Sequence, residues 1–213
     1  MGPGKEEMMT GEALKALEAA DVIIGYTVYI KLLGERFADK EMRTTPMRQE
    51  EERCKLCFEE AKKGKQVAMV CSGDAGIYGM ASLLYEMGKA YPDTEIFVIP
   101  GITAACSGAA VLGAPLNHDF CVISLSDLLT PWEKIEKRLL AAAGGDFAIA
   151  IYNPSSHKRK DYLKKACDIL LRVIDEERPC GYVENIGREG TKAVTCTLRE
   201  LRDIQVNLSL IHI

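Results

Sequence analysis

The chain has 213 residues, 47% of them hydrophobic and 27% charged, with a formal net charge of -4. That composition belongs to a globular chain with room for one large α/β domain or two small ones, and it excludes intrinsic disorder. The acidic balance offers no basic surface for nucleic acid or anionic lipid, no apolar run reaches the ~18 residues of a membrane span, and no basic-then-apolar signal segment opens the chain; the expectation is a cytoplasmic protein with neither nucleic-acid nor membrane partners.

Helical periodicity comes first, over residues 10–20 with Thr10 as N-cap, and then over 48–62. An apolar β-rich run at 67–71 leads to a helical pattern over 78–90, and a second run at 96–99 leads to a small-residue helix over 103–112. The turn formers Gly113-Ala114-Pro115-Leu116-Asn117 follow. Beyond them, strand-like runs at 120–125 and 147–152 flank a helix over 131–142, whose Pro131 suits a first helical turn. A helix over 160–174 then precedes a last strand-like run at 180–183.

This alternation predicts an α/β fold of mostly parallel sheets with helices on their faces. It also predicts two α/β domains, 1–115 and 116–207, with a ligand cleft between them. The eight cysteines lie mostly in apolar runs. Cys54 and Cys57 form a CxxC pair on the 48–62 helix with no second pair or nearby histidine, so they read as core residues of a reducing compartment.

Three glycine turns stand out. Gly2-Pro3-Gly4 opens the chain, Ser72-Gly73-Asp74-Ala75-Gly76 follows the 67–71 run, and Pro100-Gly101-Ile102-Thr103-Ala104 follows the 96–99 run. Ligands of parallel sheets bind beyond the carboxyl ends of the strands, where glycine lets a ligand approach the backbone and permits positive φ. A phosphate fits poorly, since no GxxxxGK[ST] pattern is present and Asp74 would repel it. An acidic turn suits a cationic, hydroxyl-bearing ligand, and S-adenosylmethionine has a sulfonium, an ammonium and ribose hydroxyls. The alternative is three ordinary βα turns.

Together the three turns, the second continuing as Ile77-Tyr78-Gly79-Met80, resemble the tetrapyrrole methylase family. The likeness runs from Gly2 to Val206. Further stretches narrow it: Asp21-Val22-Ile23-Ile24-Gly25-Tyr26, His118-Asp119-Phe120, Ser124-Leu125-Ser126-Asp127-Leu128-Leu129-Thr130-Pro131-Trp132-Glu133, Tyr152-Asn153-Pro154 and Asn185-Ile186-Gly187-Arg188-Glu189-Gly190. They point to the branch that methylates carbon 17 of precorrin-3B, or of its cobalt-bound counterpart, with ring contraction during cobalamin synthesis.

The resemblance implies two α/β domains holding S-adenosylmethionine in the cleft between them, a small tetrapyrrole substrate and a homodimer. Carried over by position, the cofactor residues are Gly2, Pro3, Ser72, Gly73, Asp74, Ile77, Thr103, Ala104, Asn153 and Gly181. The alternatives are another precorrin methyltransferase of the same fold and a non-enzymatic nucleotide-binding α/β module.

Methyl transfer from a sulfonium to carbon needs alignment of two bound reactants and no side-chain nucleophile. Ring contraction moves protons, for which His118 and Asp127 are the candidate catalytic groups, with Asp119 orienting the histidine. His118 reads equally as a loop-bonding residue and Asp127 as a helix cap near Pro131. The carboxylate arms of the substrate call for cations, and Arg48, Arg53, Lys158, Arg159 and Arg188 are the candidates, with Tyr26 against the flat macrocycle.

Two departures from the family pattern carry structural expectations. The family has an apolar strand ahead of the glycine-proline turn, where this sequence has only Met1, so the first domain is expected to lack its first strand. The last residues, 208–213, do not follow the pattern either. They are read as a non-native tail behind a truncated second domain, which would leave the chain unstable.

Overall fold

The computed structural model describes residues 1–156, 159–206 and 210–212. The chain divides into two compact units, Met1–Ala104 and Ala105–Ile213. The division precedes the expected turn at 113–117. The reason is local: Ala105 N donates to the Tyr152 hydroxyl at 2.8 Å, and Leu112 packs over Gly181, so the helix between them goes with the second unit.

The first unit contains α1 (Gly11–Ala19), β1 (Val22–Tyr26), α2 (Thr27–Lys31), β2 (Glu41–Thr45), α3 (Glu50–Ala61), β3 (Val67–Val70) and α4 (Ala81–Gly88). Thr10 caps α1 as expected, its hydroxyl accepting from Ala13 N at 3.2 Å. The strands form a parallel sheet in the order β2-β1-β3. Central β1 reads as an unbroken apolar run because both of its faces are covered. Ile23 packs with Leu17, Leu33 and Phe37 on one side, and Val22 and Ile24 pack with Cys57 on the other.

The 96–99 run was expected to be a strand, and the structure corrects this. The run forms no strand, and its only hydrogen bond to the described residues is the Tyr85 hydroxyl on Ile96 O at 3.2 Å. A strand exists through its ladder, and none is in reach: across from residues 96–99, beyond a cavity of about 880 Å³, lies the outer edge of β3. Met1 and Gly2 reach only the end of that edge, through Met1 N to Cys71 O at 3.1 Å and the Gly2–Gly73 bridge. Phe97 is left 76% exposed.

A buried carboxylate fastens the other side of this sheet. Glu60 on α3 is fully buried and meets Arg43 Nη1 of β2 at 2.7 Å, Lys63 Nζ at 2.5 Å and Lys65 Nζ at 2.9 Å. The Lys63 and Lys65 ammoniums, then Arg43, hold its carboxyl down at about 2.

The second unit contains α5 (Ala104–Val111), β4 (Phe120–Ser124), α6 (Trp132–Gly144), β5 (Ala148–Tyr152), α7 (Tyr162–Leu170), β6 (Pro179–Glu184), β7 (Lys192–Thr197), α8 (Leu198–Asp203) and β8 (Leu210–His212). Leu163, Ala166, Cys167 and Leu170 bury one face of α7 at helical spacing, against Ile135 and Leu139 of α6 and Ile149 and Ile151 of β5. Thr197 and Glu200 form a reciprocal capping box at the start of α8.

The sheet order is β4-β5-β8-β6-β7. Only β4 and β5 are parallel neighbours, so this sheet is mixed where a mostly parallel one was expected. Residues 210–212, expected to belong to a non-native tail, form a strand of this sheet. Strand β8 runs antiparallel between β5 and β6, residue 211 pairing with both Ile151 and Tyr182. Two facing strand edges supply the hydrogen bonds that draw it in. Among the described residues no helix is long and apolar enough to cross a membrane.

Replacing Glu60 with Gln is expected to lower the thermal midpoint at neutral pH, since three cations lose their common partner. A carboxyl held below its ordinary value contributes stability that is present above the unfolded value of ~4.3 and is lost as pH falls through the folded one. The gap between variant and parent should therefore close as pH drops from there toward about 2, which circular-dichroism melts across that range check.

Candidate functional site

The glycine turns converge. Gly2 N donates to Gly73 O at 3.1 Å and Gly73 N to Gly2 O at 2.7 Å, joining the first turn to the second. Asp74 joins the second to the third: Oδ1 accepts from Gly76 N at 2.7 Å and Oδ2 from Gly101 N at 2.9 Å. These are charge-assisted bonds, about twice as strong as neutral ones.

Glycine is required at the crossing. A Cβ on Gly101 would lie 2.3 Å from Gly73 O, and Gly73 itself has φ 71°. Thr103 Cα and Ala104 N lie 3.8 Å from the position of a Gly73 Cβ. Gly2, Gly73, Asp74, Thr103 and Ala104, with their chain neighbours Pro3 and Ser72, therefore form one cluster at the carboxyl end of β3, with Gly2, Pro3 and Gly73 buried in it. Ile77 and Tyr78 are exposed beside it. Tyr26 ends β1, one residue past the Gly25–Val70 pair, so it lies on the same sheet edge, with its ring edge-on to Tyr29 at 5.3 Å.

A second polar cluster follows the carboxyl ends of β4 and β5. Asn153 has φ 52°, in the left-handed region that asparagine tolerates, and its Nδ2 donates to Ser124 Oγ at 2.9 Å. Arg159, with 15% of its side chain exposed, donates from Nη1 to Ser126 Oγ at 2.8 Å and Asp127 Oδ1 at 3.1 Å, and from Nε to Ser156 Oγ at 3.1 Å. The Tyr162 hydroxyl donates to Asp127 Oδ2 at 2.6 Å. The Tyr162 hydroxyl and then the Arg159 guanidinium hold the Asp127 carboxyl below the usual range, and the same carboxylate pushes the Tyr162 phenol up. Asp127 is not a helix cap; Pro131 holds that place at α6.

The remaining expected site residues scatter. His118 precedes β4 and Asp127 follows it, so a strand of five residues, each rising ~3.3 Å, separates the two catalytic candidates. His118 instead lines a cavity of about 400 Å³ with Gly181, Asp146 and Arg178. Gly181 is level with Ala150, both paired to residue 212, and a Cβ on it would meet Leu112 at 2.9 Å.

Arg53 is corrected from a surface cation to a buried one, 4% exposed, with Nη2 on Pro46 O at 3.2 Å and Nη1 3.8 Å from Met80 Sδ. It faces inward because α3 packs that side against the sheet. Arg48 is exposed, with φ 67°. Arg188 lies in the β6–β7 turn, its N donating to Asn185 O at 2.9 Å. Lys158 lies outside the described residues. Burial pushes the Cys54 thiol up to about 11 and the Cys57 thiol up to about 12. Among the described residues no group of three His, Cys, Asp or Glu side chains is placed to share a metal ion.

Tyr162, Ser126, Gly76 and Gly101 were not picked out from the sequence as site residues. The glycines lay inside turns already singled out. Nothing in the linear pattern pairs Tyr162 with Asp127, which lies 35 positions away.

An α/β chain with glycine turns locked together at the carboxyl edge of a parallel sheet, and a second polar cluster beyond β4 and β5, has the fold of a methylase. Residues 1–202 match the family model described as Tetrapyrrole (Corrin/Porphyrin) Methylases, and the chain belongs to that family. It is 46% identical over 202 residues to a probable cobalt-factor III C(17)-methyltransferase of Salmonella typhimurium, covering 94% of this chain and 84% of that one. It is 38% identical over 203 residues to a precorrin-3B C(17)-methyltransferase of a Sinorhizobium species, covering 93% and 80%. The solved structure of the methyltransferase CobJ superposes with a TM-score of 0.89 at 38% identity, over 99% of this chain and 90% of that one.

Substituting Gly101 with Ala is expected to force the turns apart and to cost about 1–3 kcal/mol in urea unfolding. Gly144→Ala, at a helical position with nothing within 4 Å of the new Cβ, serves as the control and is expected to be neutral or to gain stability.

Proposed function

We propose that this protein transfers a methyl group from S-adenosylmethionine to carbon 17 of a contracting tetrapyrrole in cobalamin synthesis. The observation that carries the reading is the locking of three glycine turns around Asp74, in a chain similar along most of its length to C(17)-methyltransferases. The higher identity to the Salmonella relative favours the cobalt-bound substrate over metal-free precorrin-3B.

The turns suit this cofactor. Glycine at the crossing lets the turns meet backbone to backbone with no side chain between them. The Asp74 carboxylate accepts two amide bonds and has about four acceptor sites, so it can still receive an ammonium or a ribose hydroxyl. In this reading Gly2, Pro3, Ser72, Gly73, Asp74, Ile77, Thr103 and Ala104 hold the cofactor, and Asn153 is a further cofactor residue by its position in the family pattern. Gly181, set against Leu112, is not part of the set. When bound, S-adenosylmethionine supplies an electrophilic methyl on a sulfonium. The protein's task is alignment, which removes up to ~7–11 kcal/mol of barrier. Arg159 receives a carboxylate of the substrate.

Isothermal calorimetry with S-adenosylmethionine and S-adenosylhomocysteine tests the reading, followed by mass spectrometry of products from the cobalt-bound and metal-free substrates. Asp74→Ala is expected to weaken cofactor binding by roughly tenfold or more, the worth of a hydrogen bond to a charged group. An unchanged Kd in a cooperatively folded variant would overturn the role of Asp74, and no binding by the parent would overturn the cofactor.

A further inference from the structure

We propose that Asp127 and Tyr162 are positioning residues that aim the Arg159 guanidinium at a carboxylate of the substrate, and that they are not an acid–base pair for the chemistry. The inference rests on the proposed function for its substrate class, a macrocycle with carboxylate arms.

The geometry begins with a count of donors. An arginine has five N–H donors in a rigid fork. Here three are engaged: Nε with Ser156 Oγ, and Nη1 with Ser126 Oγ and Asp127 Oδ1. The two on Nη2 reach none of the described residues, though only 15% of the side chain is exposed. The guanidinium is thus gripped at Nε and Nη1, and Nη2 is the nitrogen it offers. Its place, beyond the carboxyl ends of parallel β4 and β5, is where such sheets bind ligands.

Both oxygens of Asp127 are engaged, Oδ1 by Arg159 and Oδ2 by Tyr162. A general acid or base needs a free lone pair or proton facing the reacting atom and a pKa near the working pH. Asp127 fails on the second count, its carboxyl being held below the usual range by the same two bonds that tie down both of its oxygens. Tyr162 is fixed in turn. Its ring lies 4.6 Å from that of Trp132 on α6, and Lys165 Nζ sits 5.0 Å over it while pairing with Asp161 at 2.8 Å. The chain of support therefore runs from α6 and α7 through Tyr162 and Asp127 to Arg159.

Trp132 is the only tryptophan of the chain and touches this assembly, so its fluorescence reports on it. The probe is uroporphyrin, a polycarboxylated macrocycle that quenches indole emission on binding, with tricarballylate as competitor. Arg159→Lys keeps the charge and loses the fork, and is expected to weaken uroporphyrin binding about tenfold. Tyr162→Phe is expected to weaken it several-fold, and the double variant to be little worse than Arg159→Lys, since residues acting through one another are non-additive. In turnover, Tyr162→Phe should raise KM more than it lowers kcat, with the pH profile of kcat unmoved.

If Tyr162→Phe unfolds at the parent's midpoint and leaves both uroporphyrin affinity and KM unchanged, the positioning role is overturned. It is also overturned if kcat falls or its pH profile shifts while KM holds. Should Tyr162→Phe fail to fold, Arg159→Lys alone decides, with undiminished uroporphyrin binding overturning the proposal. Calorimetry separates this from the wider reading: intact S-adenosylmethionine binding with Arg159-independent uroporphyrin binding sinks only the positioning role. Arg159-dependent uroporphyrin binding without any S-adenosylmethionine binding sinks only the wider reading.

Discussion

The Asp74 carboxylate is the constraint on which the first unit's surface depends. One oxygen takes the Gly76 amide in its own turn and the other the Gly101 amide 27 residues on, beside the close approach of Gly101 to Gly73. Each turn alone is an unremarkable βα connection. Tied together, they become one fixed unit with its backbone groups paired at the crossing, and a ligand that meets it finds its contacts already ordered. Preorganisation of this kind spares the ligand the cost of ordering loops.

The second unit repeats the logic with side chains in place of backbone. Ser124, Ser126, Asp127 and Asn153 sit just beyond two parallel strands, and the links between them fix the rotamers of the residues that remain accessible. In both units the polar chemistry gathers at the carboxyl ends of parallel strands. The antiparallel part of the second sheet, β6 to β8, contributes core and edge.

Much of this was legible in the residues. The Thr10 cap, the glycine turns and the alternation of β-rich and helical runs other than 96–99 follow from local chemistry and are found where the pattern put them. What was not legible depended on partners distant in sequence. Strand β2, Glu-Met-Arg-Thr-Thr, is too polar to read as a strand because its Glu41 and Arg43 serve the ion cluster around Glu60 on a sheet edge. The 96–99 run has strand composition and no ladder. His118 and Asp127 looked like one site because they are close in sequence, and a strand lying between them places them at opposite ends. Arg53 carries a charge, and only packing shows that it points inward.

Strand β8 has a consequence for how the second unit assembles. Among the described residues it is the strand that joins the β4–β5 pair to the β6–β7 hairpin, each of which closes through contacts near in sequence. Until it docks, those two halves share no strand ladder, and closing the loops that bring it home is the entropically costly step. Folding of this unit is therefore paced by its most distant pairing, residue 212 with Ala150, and the helices and hairpins form ahead of the sheet that unites them.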